Sequence, residues 1–348
     1  MGDGQLFDGL RDDRVAEIRR TTGGEPVVVA FSGGLDSSTV AALARDALGA
    51  HNVLLVTVNM GAYAYRRGNA IVREMAEQLG LEQRCLLGQK MQHTVQRGGP
   101  ACNRCTRQIK LGLVKAAARG RLVLTGSNRS DTWGQLGVKI SNGFYAPLLD
   151  LDKPQIRRLA DELRLRVPRI GEHWGREGCK LKHLLKPLVN PDYHGRAVAE
   201  ANEVLLGVLA QAGFAAELAN VKIAGPLRQN LALVNVRPAL PADLRTAVAD
   251  ALHDVPAIDE VRFIEGPTRL VVRAGPALAG DAAGRYWVEH GRLAGDFAWP
   301  IEVEWRFSDN GRLHTFHVLD AVPLSVGVGA SVGPNSRIQN LNDRRASQ

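Results

Sequence analysis

The chain has 348 residues, 45% hydrophobic and 23% charged, the composition of an ordinary globular protein with a large core. It holds no run of 18 apolar residues, which excludes a transmembrane helix. The charged stretch Met1 to Arg20 lacks the apolar centre of a secretion signal, so a cytoplasmic location is expected. A net charge of +8 points to an anionic partner, a nucleic acid or a nucleotide.

The first predicted element is a helix, Asp12 to Thr21, ended by Gly23-Gly24. Strand and helix then alternate: strand 27–31, helix 38–49, strand 53–58, helix 67–80, strand 83–87, helix 103–118 and a buried strand Leu122 to Thr125. Such alternation predicts an α/β fold, a parallel sheet with helices on both faces and ligands at the carboxyl ends of its strands. A helix over 154–163 follows, with Asp152 as its N-cap and Pro154 in its first turn. Past Pro187 the pattern changes to a smaller C-terminal α+β region. It reads as helix 194–213, strands 218–224 and 230–236, helix Ala242 to His253, and a hairpin over 260–274 turning at Gly266-Pro267. Gly275 to Gly284 reads as a linker, and 285–319 as β with a hairpin turn at Asp309-Asn310-Gly311. The expected units are 1–190, 191–275, a β-rich extension 276–322 and a disordered tail 323–348.

The first strand runs through Ala30 into Ser32-Gly33-Gly34-Leu35-Asp36-Ser37-Ser38 and then a helix. Two glycines let backbone approach an anion, and hydroxyls and free helix N–H groups face phosphate oxygens. The Walker pattern is absent because no lysine ends the loop. Asp36 would repel bare phosphate, so a bridging Mg²⁺ is expected. A second polar turn, Gly126-Ser127-Asn128-Arg129-Ser130-Asp131, follows the fourth strand, and Asp131 is its only carboxylate.

The chain has four cysteines. Cys102 and Cys105 form a C-x-x-C at a predicted helix start, flanked by Arg104 and Arg107, where a lowered thiol pKa is expected. Cys179 lies in a loop and is expected to be reactive, whereas Cys85 falls inside an apolar strand and is expected to be a core residue. Two thiols from the C-x-x-C and one remote thiol can hold a 4Fe-4S cluster with one open iron. The cluster-free route puts a persulfide on Cys105 that Cys179 attacks; structural zinc or inert thiols are the plainer readings. Between Arg157 and Lys186 nine basic residues face four acidic ones, a candidate tRNA-binding stretch or a solvated helix face.

The Ser32–Ser38 string resembles the signature of the PP-loop ATP pyrophosphatases, the adenine nucleotide alpha hydrolase-like superfamily, which split ATP into AMP and pyrophosphate. Cys105-Thr-Arg-Gln-Ile-Lys-Leu111 is similar to the reactive-cysteine segment of the tRNA thiolases. The paired cysteines resemble those of the sulfur transferases that build the nickel-pincer cofactor. The resemblance implies ATP and pyrophosphate contacts at Ala30, Ser32, Gly33, Gly34, Asp36, Ser37, Ser38, Lys110 and Gly126. It implies Mg²⁺ at Asp36 and Asp131, adenine at the backbone of Asn59 and Met60, and Cys102, Cys105 and Cys179 as the sulfur-handling residues. The implied function is adenylation of an acceptor carbonyl or carboxylate, then insertion of sulfur from a 4Fe-4S cluster or a persulfide. The acceptor is a tRNA base or a small molecule. The donor is sulfide, a cysteine desulfurase or a sulfur carrier protein, no membrane is involved, and a homo-oligomer is compatible. The alternative is an amide-forming or nitrogen-inserting ligase with a structural metal at the cysteines.

Overall fold

A computed structural model describes residues 9–131, 137–175 and 177–324. Its first half is an α/β layer. The strands are β1 (Val27–Ala30), β2 (Val53–Asn59), β3 (Glu82–Leu87), β4 (Val123–Leu124), β5 (Ile140–Ser141) and β6 (Phe144–Tyr145). They form one sheet in the order β3-β2-β1-β4-β6-β5, parallel except for the β5–β6 pair. Alternate residues of β1 serve opposite faces. Val27 and Val29 join a core with α1 (Leu10–Thr22), α2 (Leu35–Leu48), α3 (Arg66–Leu79) and the helix Lys153–Glu162. Val28 packs with Val56, Val114 and Val123 on the other face, under α6 (Leu111–Ala118). Helices therefore cover both faces, as the apolar strand runs require. Neighbours run outward from β1 in both directions, so the carboxyl ends of β1 and β4 flank the switch point where such sheets take ligands.

The N-cap expectation at Asp152 is met by a full capping box: its carboxylate accepts from Gln155 N, and Gln155 returns a bond to Asp152 N. The helix expected over 103–118 starts as α5 (Cys102–Cys105) and continues as α6, with a π-bulge over Thr106–Lys110 between them. One extra residue in that turn re-aims Lys110, a change that no period-3.6 reading reveals.

In the second half, β7 (Leu218–Ala224), β8 (Leu231–Arg237) and β9 (Glu260–Phe263) form one sheet. The strands β10 (Thr268–Ala274), β11 (Ile301–Phe307) and β12 (Phe316–Pro323) form another, with β10 in the centre. Helices Arg196–Gln211 and Ala242–His253 pack on the first of these sheets. Neither expected hairpin exists. β9 pairs in parallel with β8 while β10 joins the other sheet, and β11 and β12 flank β10 instead of each other. The expected linker contains two short helices, Pro276–Ala279 and Ala282–Tyr286. Turn signals report only that the chain reverses; the partner of each strand is chosen by tertiary packing. Of the tail expected over 323–348, Pro323 instead ends β12, and the residues past Leu324 lie outside the described residues.

Candidate active site

The loop after β1 is held by its own hydroxyls. Ser32 N donates to Ser37 Oγ at 3.2 Å, and Ser37 Oγ donates to Gly34 O at 3.0 Å. Gly33 sits at φ +73°, and a Cβ there would meet the Cα of Val72 at 2.9 Å, so only glycine fits. Ser38 Oγ is buried without a partner at the start of α2. An orphaned buried hydroxyl beside free helix N–H groups suits an anion that completes it.

The turn after β4 closes on this loop. Gly126 lies so near that a Cβ would stand 2.9 Å from Asp36 Cβ and 3.0 Å from Ser37 N. Asp36 Oδ2 accepts from Lys153 Nζ at 2.5 Å and from Asn128 Nδ2 at 3.1 Å, while Asp36 Oδ1 is buried with no partner among the described residues. Asp131 Oδ2 accepts from Asn128 N at 3.1 Å. Burial pushes the Asp131 carboxyl up, the charge of Asp36 adds to that, and Lys153 opposes it. Two carboxylates in one another's field, one with a free oxygen, fit a Mg²⁺ completed by phosphate oxygens. Sequence reasoning missed Lys153. Its signal was a lysine directly after an N-cap, on the helix that follows this turn.

A cavity of about 230 Å³ runs from the loop along the ends of β1 and β2, lined by Ala30, Ser32, Asn59, Met60, Lys110 and Cys179 among others. A second cavity, of about 620 Å³, is lined by Cys102, Cys105 and Cys179 together. Thr106, Lys110 and Cys179 border both. The three distant cysteines of the sequence thus meet, one wall away from the loop. Buried Gln92 reaches one of them, its Nε2 donating to Cys179 Sγ at 3.2 Å, and it lines the same cavity as Cys105. Gln92 carried no sequence signal.

Two cysteine expectations change. Burial pushes the Cys105 thiol up to about 11, against the lowering pull of Lys110, and burial also raises Cys179. The flanking Arg104 and Arg107 are exposed, so desolvation outweighs the helix start. Cys85 is exposed on β3, the edge strand of the sheet, and is not a core residue.

Behind the cysteine cavity stands a wall of buried charge. Glu172 accepts from Lys182 Nζ at 2.5 Å and from His183 Nε2 at 2.9 Å, and Lys222 Nζ donates to His183 Nδ1 at 2.9 Å. His183 is therefore the neutral Nε2–H tautomer; burial, then Lys222, lower it to about 3. Asp296 pairs with Lys222 at 3.5 Å, with His173 at 3.3 Å and with Arg292. Arg292 and Cys102 line the same cavity, so the segment Trp287–Leu293 brings a cation into the cysteine chamber. The basic stretch of the sequence divides here. Lys180, Lys182 and Lys186 are committed to Glu203, Glu172 and three backbone carbonyls, while Arg157, Arg158, Arg164 and Arg166 remain at the surface.

Among the described residues, no three His, Cys, Asp or Glu side chains stand close enough to hold one metal ion, so the site a structural zinc needs is not formed. Cys102, Cys105 and Cys179 share their cavity with Lys110 and Arg292. No helix among the described residues is long and apolar enough to cross a membrane.

Residues 11–170 match the NAD synthase family. The chain is 29% identical over 166 residues to the NH(3)-dependent NAD(+) synthetase of Pyrococcus horikoshii, covering 45% of this chain and 63% of the relative. It is 35% identical over 71 residues to the glutamine-hydrolyzing GMP synthase of Stenotrophomonas maltophilia, covering 20% and 13% of the two chains. The solved NH3-dependent NAD synthetase from Campylobacter jejuni, in complex with the nitrate ion, aligns at 21% identity with a TM-score of 0.40, covering 46% of this chain and 74% of that one. The chain spans 13% of the GMP synthase and 63% of the NAD synthetase. The likeness to these relatives lies in the N-terminal α/β layer that carries the Ser32–Ser38 loop. These relatives are named as synthetases, not as the sulfur transferases expected from the cysteines, and the family match ends at residue 170, ahead of Cys179.

Proposed function

We propose that the chain is an ATP-dependent sulfur transferase which adenylates an acceptor and then sulfurates it. The observation that carries this is Cys179, which borders the cavity at the PP-loop and the cavity of the three thiols alike. ATP lies along the ends of β1 and β2 with its phosphates on the Ser32–Ser38 loop. Asp36 and Asp131 would hold a Mg²⁺, whose charge would offset that of the pyrophosphate. Backbone N–H groups of the loop and the hydroxyls of Ser37 and Ser38 face the charge that develops. An oxygen of the acceptor attacks the α-phosphorus and the bond to pyrophosphate breaks. Activation is needed because a bare carbonyl oxygen does not leave at neutral pH.

Sulfur then comes from the trio. The terminal sulfur of a cysteine persulfide attacks the activated carbon and AMP departs with the C–O bond pair. A second thiol attacks the inner sulfur and gives up its proton, the S–S bond to the transferred sulfur breaks, and a protein disulfide remains for a thiol reductant to reopen. Gln92 holds Cys179 by a hydrogen bond on the wall of the cavity that Cys105 also lines. Where a 4Fe-4S cluster is present, Cys102, Cys105 and Cys179 would hold it, and its open iron supplies a place for sulfide.

The matched relatives favour a second reading, a nitrogen-inserting ligase, since their names specify ammonia or glutamine hydrolysis. One experiment separates the two. The chain is incubated with a cysteine desulfurase and ³⁵S-cysteine, then desalted. The sulfur reading expects label released by dithiothreitol, lost in Cys105→Ala and kept in Cys179→Ala. No label, with ATP turnover driven by ammonium, overturns it.

A further inference from the structure

A third cavity, of about 920 Å³, lies between the C-terminal end of α4 (Gln89–Gln96) and the loops of the β10–β12 sheet. Arg97, Arg273, Arg312, His314 and His317 line it, and none of its lining residues is acidic. The three arginines take no carboxylate partner among the described residues, unlike Arg14, Arg262 and Arg292, which are each ion-paired. The rest of the lining is largely apolar: Pro187, Val189, Pro226, Leu227, Leu313 and Leu319.

Two buried basic residues stand behind this lining, and burial lowers the first, Lys186, to about 7. Buried Lys186 donates to the carbonyls of Ala224, Pro226 and Gln229, directly behind the Pro226–Leu227 wall. His317 Nε2 donates to Gly225 O at 2.7 Å. Burial, and then the nearby charges of Lys186, Arg273 and His194, hold that imidazole neutral, down to about 4. The charge of Asp259 acts on Lys186, and among the described residues no carboxylate pairs with Arg97, Arg273 or Arg312.

The cavity adjoins the cysteine chamber. Gly98 and His314 border both. Gly98 O accepts from His314 N at 2.8 Å, and a Cβ on Gly98 would stand 2.7 Å from His314 Nδ1. The glycines ahead of the C-x-x-C therefore let the Leu313–Thr315 loop lie against the start of α5 and form the shared wall. Thr315 on that wall has a buried hydroxyl without a partner.

We propose that this cavity anchors the phosphate of a phosphorylated small-molecule acceptor, whose reacting carbon passes His314 into the cysteine chamber. The assignment deepens the sulfur-transfer reading and rests on it for the word acceptor. Three unpaired guanidiniums suit a phosphate monoester's several oxygens. The apolar wall suits an organic body, and the volume is that of a small-molecule site rather than an extended polynucleotide track.

The test is calorimetric titration of ribose 5-phosphate into the full chain, with the PP-loop first saturated by Mg²⁺ and α,β-methylene ATP so that it cannot take the probe. Wild type is expected to bind one equivalent. Arg97→Ala/Arg273→Ala/Arg312→Ala should weaken binding at least tenfold and leave nucleotide affinity unchanged. The triple lysine variant, which keeps the charge, should stay within a few-fold of wild type and guards against a folding artefact. No binding by wild type, or unchanged affinity in the alanine variant, overturns the proposal. So does bulk tRNA binding that needs the three arginines while ribose 5-phosphate does not bind. Failure of ³⁵S loading with ribose 5-phosphate binding intact removes the sulfur reading and supports an anion site in an enzyme of other chemistry.

Discussion

Gly126→Ala probes the contact between the two turns that build the nucleotide site. Gly126 is not at positive φ, so the backbone conformation suits alanine and only packing changes. The new Cβ would stand 2.9 Å from Asp36 Cβ, 3.0 Å from Asp36 C and 3.0 Å from Ser37 N. Two of those atoms are backbone and cannot rotate away, so the start of α2 must retreat by several tenths of an ångström. Overpacking of this kind costs about 1–3 kcal/mol. If the present loop position is the one that fits pyrophosphate, restoring it on binding costs the same energy. Mg·ATP should then bind roughly 5- to 150-fold more weakly, since about 1.4 kcal/mol is a factor of ten. The assay is fluorescent ATP-analogue binding beside a thermal melt. Gly112→Ala is the control: it sits in α6 with nothing within 4 Å of a Cβ, and alanine there should raise stability by up to about 1 kcal/mol. Wild-type affinity and melting temperature in Gly126→Ala would refute the reasoning.

Asp36→Asn removes the anionic oxygen that faces Lys153 and the Mg²⁺ position, and AMP formation should fall by about 10²-fold or more, read by pyrophosphate release. Arg292→Ala leaves buried Asp296 short of a cation, and a stability loss of about 3–5 kcal/mol in the thermal melt is expected. Cys85→Ser should leave labelled-sulfur loading and melting temperature unchanged, because the side chain is exposed on an edge strand. His317 lies below its unfolded value, at about 4, so the unfolded chain takes its proton first as pH drops. Its stability contribution is full above about pH 6.5 and is lost progressively toward pH 4, and the slope of melting temperature against pH should flatten there in His317→Asn.

The nucleotide half of the site was legible because its signals are local. The β1 strand, the Ser32–Ser38 turn and α2 are contiguous, and the Asp152 cap lies within its own helix. The cysteine chemistry was legible in type but not in environment. Burial of Cys105 comes from residues packed in the C-terminal core, such as Leu181 and Leu184, far along the chain. Arg292 and Asp296 reach the trio from a segment that reads as β-rich sequence, and it folds as helical turns because its apolar residues, Val288 and Leu293, fill the core of the β10–β12 sheet. The strand order there was not legible either, since β10 lies between two strands distant in sequence, and alternation alone names no neighbour.

The central claim is adenylation by cleavage between the α and β phosphates, and ³¹P NMR of the nucleotide products tests it most directly. The protein is supplied with Mg·ATP and a heat-cleared small-molecule cell extract as the source of acceptor. AMP and pyrophosphate should appear in equal amounts, and Asp36→Asn should suppress both. ADP and inorganic phosphate in their place would contradict the account.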